Sequence, residues 1–221
     1  MKLEAFSKHY GDKPALDFPG LQLPAGQICA VIGANGSGKS TLARCTAGIL
    51  RTDQGQTVGE PGCACGYLPQ QPYPFRMSVL RNLLLGGEGP QARDRAAELL
   101  ARLEIAALAG QKAHRLSGGE RARMALARLL MGRYDMLILD EPTAAMDIQG
   151  TLLAEALVQD YRQETGCAVL WITHSLAQAR RVADRVAFLW EGRLLETGSA
   201  DKLLTRPDTP ELRQFLEFYS L

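Results

Sequence analysis

Three short runs carry no polar side chain: Ile28-Cys29-Ala30-Val31-Ile32, Met136-Leu137-Ile138-Leu139 and Ala168-Val169-Leu170-Trp171-Ile172. Runs this short, without helical period, read as strands buried on both faces. Between them the apolar spacing is helical. Leu80, Leu83 and Leu84 fit one face, and Ala96, Leu99, Leu100 and Leu103 fall at i, i+3, i+4 and i+7. A helix over 120–131 carries Met124, Leu126, Leu129 and Leu130. Another over 151–164 carries Leu152, Leu153, Ala156, Leu157 and Val158 as candidates for burial. Residues 1–27 alternate loosely, as short strands do, and 51–66 read as a compact loop or small hairpin. A helix (176–183), a hairpin (Val186–Trp190 and Leu194–Thr197 about Glu191-Gly192-Arg193) and a C-terminal helix (211–219) complete the chain. Strands alternating with helices predict an α/β fold with a mostly parallel sheet, interrupted by a helical insert.

The candidate chemistry sits where the apolar strands end. Gly33-Ala34-Asn35-Gly36-Ser37-Gly38-Lys39-Ser40 follows the first strand and fits G-x-x-x-x-G-K-[ST], the phosphate-cradling P-loop. Its glycines let the backbone come close to an anion, and the N–H groups opening the helix from Thr41 to Gly48 point at it. Lys39 reaches the β- and γ-phosphates, and Ser40 offers a hydroxyl to Mg²⁺. The second strand ends in Asp140-Glu141-Pro142: an acid suited to Mg²⁺ and one suited to deprotonating a water. His174 follows the third strand. Ser117-Gly118-Gly119-Glu120 is a capping box, Ser-x-x-Glu. Two glycines just inside a helix start are locally unfavourable and leave bare N–H groups for a second anion site.

Composition narrows the classes. The 221 residues suffice for one large domain. The 25 Lys+Arg nearly cancel 24 Asp+Glu, which argues against a general polyanion-binding surface. No apolar run approaches the ~20 residues of a membrane span, and the first residues lack a secretory signal's apolar core, so a soluble, cytosolic chain is expected. Five scattered cysteines suit a reducing compartment. Cys63-Ala64-Cys65 lacks the second pair that a structural zinc site needs and reads as reduced thiols in a turn.

Over about residues 1–205 these motifs resemble the nucleotide-binding subunit of an ATP-binding cassette (ABC) transporter, probed most specifically by Leu116-Ser117-Gly118-Gly119-Glu120, which is similar to the family's LSGGQ. The resemblance implies one domain over 1–221, with a RecA-like P-loop NTPase core (about 1–70 and 132–205), a small antiparallel part, a helical subdomain (about 71–131) and a C-terminal helix (about 209–220). It implies that Tyr10 stacks on adenine, and that Gly33, Ala34, Asn35, Gly36, Ser37, Gly38, Lys39, Ser40 and Thr41 wrap the phosphates of ATP. Gln70 then touches Mg²⁺ and the attacking water, with Gln71 next in register. Asp140 is the Mg²⁺-associated acid, Glu141 the general base and His174 the γ-phosphate contact. Two motifs depart from the family: Glu120 stands for Gln in the first, and Ala144-Ala145-Met146-Asp147 stands where Ser-x-Leu-Asp is usual in the second, leaving Asp147 matched. The interval from Lys39 to Gln70 is short, which implies a trimmed antiparallel part.

Family members build each ATP site from the P-loop of one copy and the LSGG turn of another. The implied assembly is a head-to-tail dimer of this chain, or of it with a paralogous ATPase. It works on transmembrane permease subunits at the cytoplasmic face of the cell membrane, with an extracytoplasmic solute-binding protein and no direct nucleic acid. The tail from Arg206-Pro207-Asp208 to Phe215-Leu216 resembles importer subunits for small polar solutes, including oxyanions. An exporter subunit, a soluble ABC ATPase acting on ribosomes or DNA, and a P-loop kinase are the competing readings.

Overall fold

The computed structural model describes residues 1–56 and 58–219. Four short strands, β1 (Lys2–Leu3), β2 (Phe6–Tyr10), β3 (Lys13–Phe18) and β4 (Leu21–Gln22), lead into β5 (Ile28–Ile32), every residue of which is buried. Then come α1 (Lys39–Thr46), β6 (Cys65–Leu68), α2 (Val79–Leu84), α3 (Ala92–Arg102), α4 (Gly118–Leu129) and β7 (Met136–Asp140). The chain continues through α5 (Ile148–Thr165), β8 (Ala168–Ile172), α6 (Leu176–Val182), β9 (Arg185–Trp190), β10 (Arg193–Ser199), α7 (Ala200–Thr205) and α8 (Pro210–Tyr219).

Eight strands form one sheet in the order β2-β3-β10-β9-β5-β8-β7-β6, while β1 and β4 pair antiparallel beside it. Neighbours from β9 through β5, β8 and β7 to β6 run parallel. Parallel neighbours deliver their carboxyl ends to one edge, where α/β folds place their ligands. The loops after β5, β6, β7 and β8 therefore converge, and they carry the P-loop, Gln70, Glu141 and His174.

Both faces are covered. Trp171, Leu137, Leu139 and Val169 pack with Met124, Leu126, Leu99 and Leu103 of the helical block and with Leu157 and Val158 of α5. On the other face Val31, Ile138 and Leu170 meet α1 and the N-terminal strands. Ile32 and Phe188 lie under α6, α7 and α8. Phe215 of α8 sits 5.3 Å from the Phe188 ring, so the tail residues Phe215 and Leu216 close a core.

The stretch expected to be helical over 76–116 is less continuous: α2 and α3 are followed by two 3₁₀ turns (Ala106–Leu108 and Ala113–Arg115). Among the described residues, 51–64 contain no strand. On α5, Leu152 and Ala156 are exposed, contrary to expectation, while Ala154, Leu157, Val158 and Tyr161 are buried. The helix starts three residues early, at Ile148, because Asp147 caps it. The face toward the sheet is the 154–157–158–161 stripe, at i, i+3, i+4 and i+7, and Leu152 and Ala156 lie across from it. Helix α7 was not anticipated; Ser199 caps it by accepting from the Lys202 amide. The expected end of the last helix at residue 220 lies outside the described residues.

Candidate functional site

The P-loop leaves β5 at Gly33, which has φ +152°, and a methyl there would overlap the Leu189 carbonyl oxygen of β9. Gly38 is the N-cap of α1 at φ +100°, and an added Cβ would lie 2.9 Å from the Ala15 carbonyl. These two glycines let the loop lie flat against β9 and β3. Beyond Gly38, the amides of Lys39, Ser40 and Thr41 open α1 with no side-chain cap, at the positive end of the helix.

Lys39 is only 6 % exposed, and its ammonium donates to the carbonyls of Gly33 and Ala34, both at 2.8 Å. Burial pulls its pKa down, against the opposing charges of Glu141 and Asp140. Ser40 Oγ donates to Asp140 Oδ1 at 3.1 Å, joining α1 to the end of β7. Asp140 is 1 % exposed. Burial pushes its pKa up; the Ser40 bond lowers it and the Glu141 charge raises it further. Tyr67 of β6 donates to the other oxygen, Oδ2, at 3.4 Å. Among the described residues no Lys, Arg or His nitrogen lies within 4.0 Å of the Asp140 carboxylate. A buried carboxylate beside a hydroxyl, with no cation of its own, is a donor set that suits a hard divalent ion.

Glu141 departs from strand geometry. Its φ is +50°, left-handed backbone that costs a non-glycine residue about 1–3 kcal/mol, and its amide donates to the Ile172 carbonyl of β8. The turn aims the carboxylate at two neighbours. Gln70 Nε2 donates to Glu141 Oε2 at 3.0 Å, and His174 Nδ1 lies 3.4 Å from the same oxygen. Glu141 is largely covered, whereas the His174 ring is 56 % exposed. Tyr10, at the end of β2, is half exposed, and Lys8 Nζ sits 5.8 Å from its ring centre. A cleft of about 590 Å³ runs from Tyr10 past Asn35, Lys39 and Thr41 to Gln70 and Glu141.

Ser117, Gly118, Gly119, Glu120 and Asp147 do not line that cleft. Ser117 caps α4: its Oγ accepts the Glu120 amide at 3.3 Å, while the Glu120 carboxylate accepts both the Ser117 amide and its hydroxyl at 2.8 Å. Those two bonds hold the Glu120 pKa below the usual carboxylate range. A capping box takes Glu or Gln alike, which accounts physically for Glu at this position. A Cβ on Gly119 would lie 3.0 Å from the Ala145 carbonyl, so this turn packs on the segment that ends at Asp147. Asp147 Oδ1 accepts the Gly150 amide at 2.7 Å and so caps α5, a role that the sequence signals only once the helix start is known. Sequence reasoning also missed Tyr67, whose partner is distant in the chain.

One chain thus groups the P-loop, Gln70, Asp140, Glu141 and His174, and holds the capped turn 117–120 elsewhere. The sequence matches the family described as ABC transporter over residues 16–144, more than half the chain. The zinc import ATP-binding protein ZnuC of Yersinia pseudotuberculosis is 34 % identical over 211 residues, spanning 93 % of this chain and 81 % of that protein. The Fe(3+) ions import ATP-binding protein FbpC of Pseudomonas fluorescens is 34 % identical over 233 residues, spanning 98 % and 66 %. Among solved structures, the dimeric bacterial ABC transporter cassette MJ0796 superposes with a TM-score of 0.78 at 25 % identity, covering 90 % of this chain and 98 % of that one. The chain belongs to the ABC transporter family, as an ATP-binding and ATP-hydrolysing subunit.

Proposed function

We propose that two copies of this chain, or one copy and a paralogous ATPase, close head to tail around two ATP molecules, each held between the cleft of one copy and the Ser117–Glu120 turn of the other. The observation that carries this is the separation just described: the P-loop and Glu141 share a cleft that Ser117–Glu120 do not line. The reading treats 1–221 as one domain, a core with the helical block 71–131 inserted. The solved dimer of a similar cassette supports the pairing.

Within each site Tyr10 stacks on the base. The amides opening α1 bind phosphate oxygens, and Lys39 exchanges the carbonyls of Gly33 and Ala34 for them. Ser40 and Asp140 would hold Mg²⁺, with Gln70 as a further oxygen donor, and the ion would supply positive charge to the ATP phosphates. Glu141 takes the proton of the attacking water, while Gln70 and His174 fix its carboxylate, and His174 offers its exposed edge to the γ-phosphate. Ser117, Gly118, Gly119 and Glu120 of the opposite copy supply the second anion contact, with Asp147 beside them.

Closure moves attached permease subunits, and hydrolysis reopens the dimer. No helix among the described residues is long and apolar enough to cross a membrane. In this reading separate permease subunits form the membrane path, with this chain at their cytoplasmic face. The names of the relatives favour import, with an extracytoplasmic solute-binding protein, of a small solute; a metal ion is the first to test. Direct nucleic-acid contact is not part of this reading.

The test is light scattering of Glu141→Gln with MgATP. The mass should double from 24.1 kDa and return to that value without nucleotide. A monomer that binds MgATP and stays at 24.1 kDa contradicts the pairing.

A further inference from the structure

Behind the cleft lies a buried polar cluster that nucleotide contact does not use. Gln178 of α6 is 3 % exposed, and its amide is fully engaged. Nε2 donates to Thr143 Oγ1 and to Glu155 Oε1, both at 2.9 Å, and Oε1 accepts the Trp171 indole N–H at 3.2 Å. Glu155 of α5 is 4 % exposed and also accepts from Arg181 Nε at 2.9 Å and Nη2 at 2.7 Å.

The membership of this cluster is informative. Thr143 lies two residues beyond Glu141, and Gln178 four beyond His174. Trp171 belongs to the strand that His174 follows, and Glu155 to the helix that Asp147 caps. One side chain therefore ties together the segments that carry the proposed base, the histidine beside it and the start of α5. The rest of the buried face of α6 is Leu176, Ala179 and Val182. Apolar packing is non-directional and tolerates small slides of a seven-residue helix; three convergent hydrogen bonds do not. Burying an amide and a carboxylate is unfavourable unless every polar atom is satisfied, and an apolar pair would hold the helices at least as well. That choice points to geometry rather than stability.

We infer that Gln178 is a positioning residue for hydrolysis: through Thr143, Trp171 and Glu155 it fixes the His174 segment against the Glu141 segment. The inference rests on the reading of Glu141 and His174 given above.

The test is steady-state ATPase kinetics of Gln178→Leu and of the exchange Glu155→Gln/Gln178→Glu. Gln178→Leu should lower kcat by about 10–100-fold, the scale of a sub-ångström to 1 Å misplacement, while KM for ATP stays within about twofold. The exchange should restore kcat. A carboxylate at 178 accepts from Trp171, Thr143 and the new amide at 155, and Arg181, with 45 % of its side chain exposed, turns to water. Unchanged kcat in Gln178→Leu overturns the inference, as does a folded exchange variant that stays slow. Should Gln178→Leu not fold, the exchange variant alone decides, because wild-type kcat there requires the rebuilt cluster. Normal turnover by Glu141→Gln would sink the reading of the base itself, whereas a dead Glu141→Gln beside a normal Gln178→Leu sinks only this inference.

Discussion

His174 Nδ1 lies 3.4 Å from Glu141 Oε2, on the oxygen that also accepts the Gln70 amide at 3.0 Å. Three loops from three parallel strands meet at one carboxylate oxygen, and the left-handed turn at Glu141 is what brings it there. If this carboxylate takes the proton of the attacking water, Glu141→Gln should slow turnover by about 10²–10⁴-fold and leave MgATP affinity near normal. Single-turnover hydrolysis with labelled ATP measures both. Normal turnover would reassign the base.

If Asp140 holds Mg²⁺ as proposed, function there works against stability. Its pKa is raised mainly by burial, so the folded state holds the proton more tightly than the unfolded chain. The stabilisation from protonated Asp140 is full below the unfolded value near 3.9 and is lost as pH rises through the raised folded value. Asp140→Asn should therefore melt higher at pH 7, by about 2–4 °C for each kcal/mol recovered, with the gain vanishing in acid. The same variant should lose Mg²⁺-dependent hydrolysis. Calorimetry at pH 7 and below pH 4 tests the sign.

Much of this site was legible because its signals are local. The P-loop is contiguous, and Asp140-Glu141 and His174 each follow an apolar run whose burial can be read from the run itself. Tyr67 and Gln178 were not legible, since their partners Asp140 and Thr143 lie 73 and 35 residues away and no period marks them. The error on α5 has a different origin. Leu152 is as apolar as Leu157, but Leu157 shares the i, i+3, i+4, i+7 stripe of Ala154, Val158 and Tyr161 that packs on the sheet, and Leu152 does not. Likewise Phe215 and Leu216 read as a family-like tail, and the fold uses them to cover Phe188.

Lys39 donates to the carbonyls of Gly33 and Ala34, which phosphate oxygens would replace in the proposed site. MgATP at 100 times its Kd should stabilise the wild-type chain by about 2.7 kcal/mol, and Lys39→Ala should show little of that shift at the same concentration. Differential scanning fluorimetry with and without MgATP reads the difference. An equal shift in both proteins would remove Lys39 from the phosphate site.

The two kinds of P-loop glycine should separate cleanly. Gly33→Ala drives a methyl into the Leu189 carbonyl, backbone against backbone, and should unfold the chain or cost more than about 3 kcal/mol. Gly36→Ala meets nothing within 4 Å and has only its φ of +80° to resist it, about 1–2 kcal/mol. Urea denaturation of the two variants compares them. Equal losses would contradict the packing of the loop on β9.

The most direct measurement mixes two inactive proteins, Lys39→Ala and Ser117→Arg. In a head-to-tail pair, a mixed dimer joins the intact P-loop of one chain to the intact Ser117 turn of the other. Random pairing at equal concentrations should recover about a quarter of the wild-type ATPase rate, since half the dimers then carry one sound site of two. A mixture no more active than its two components would show that each chain works alone, and the account of shared sites would fail.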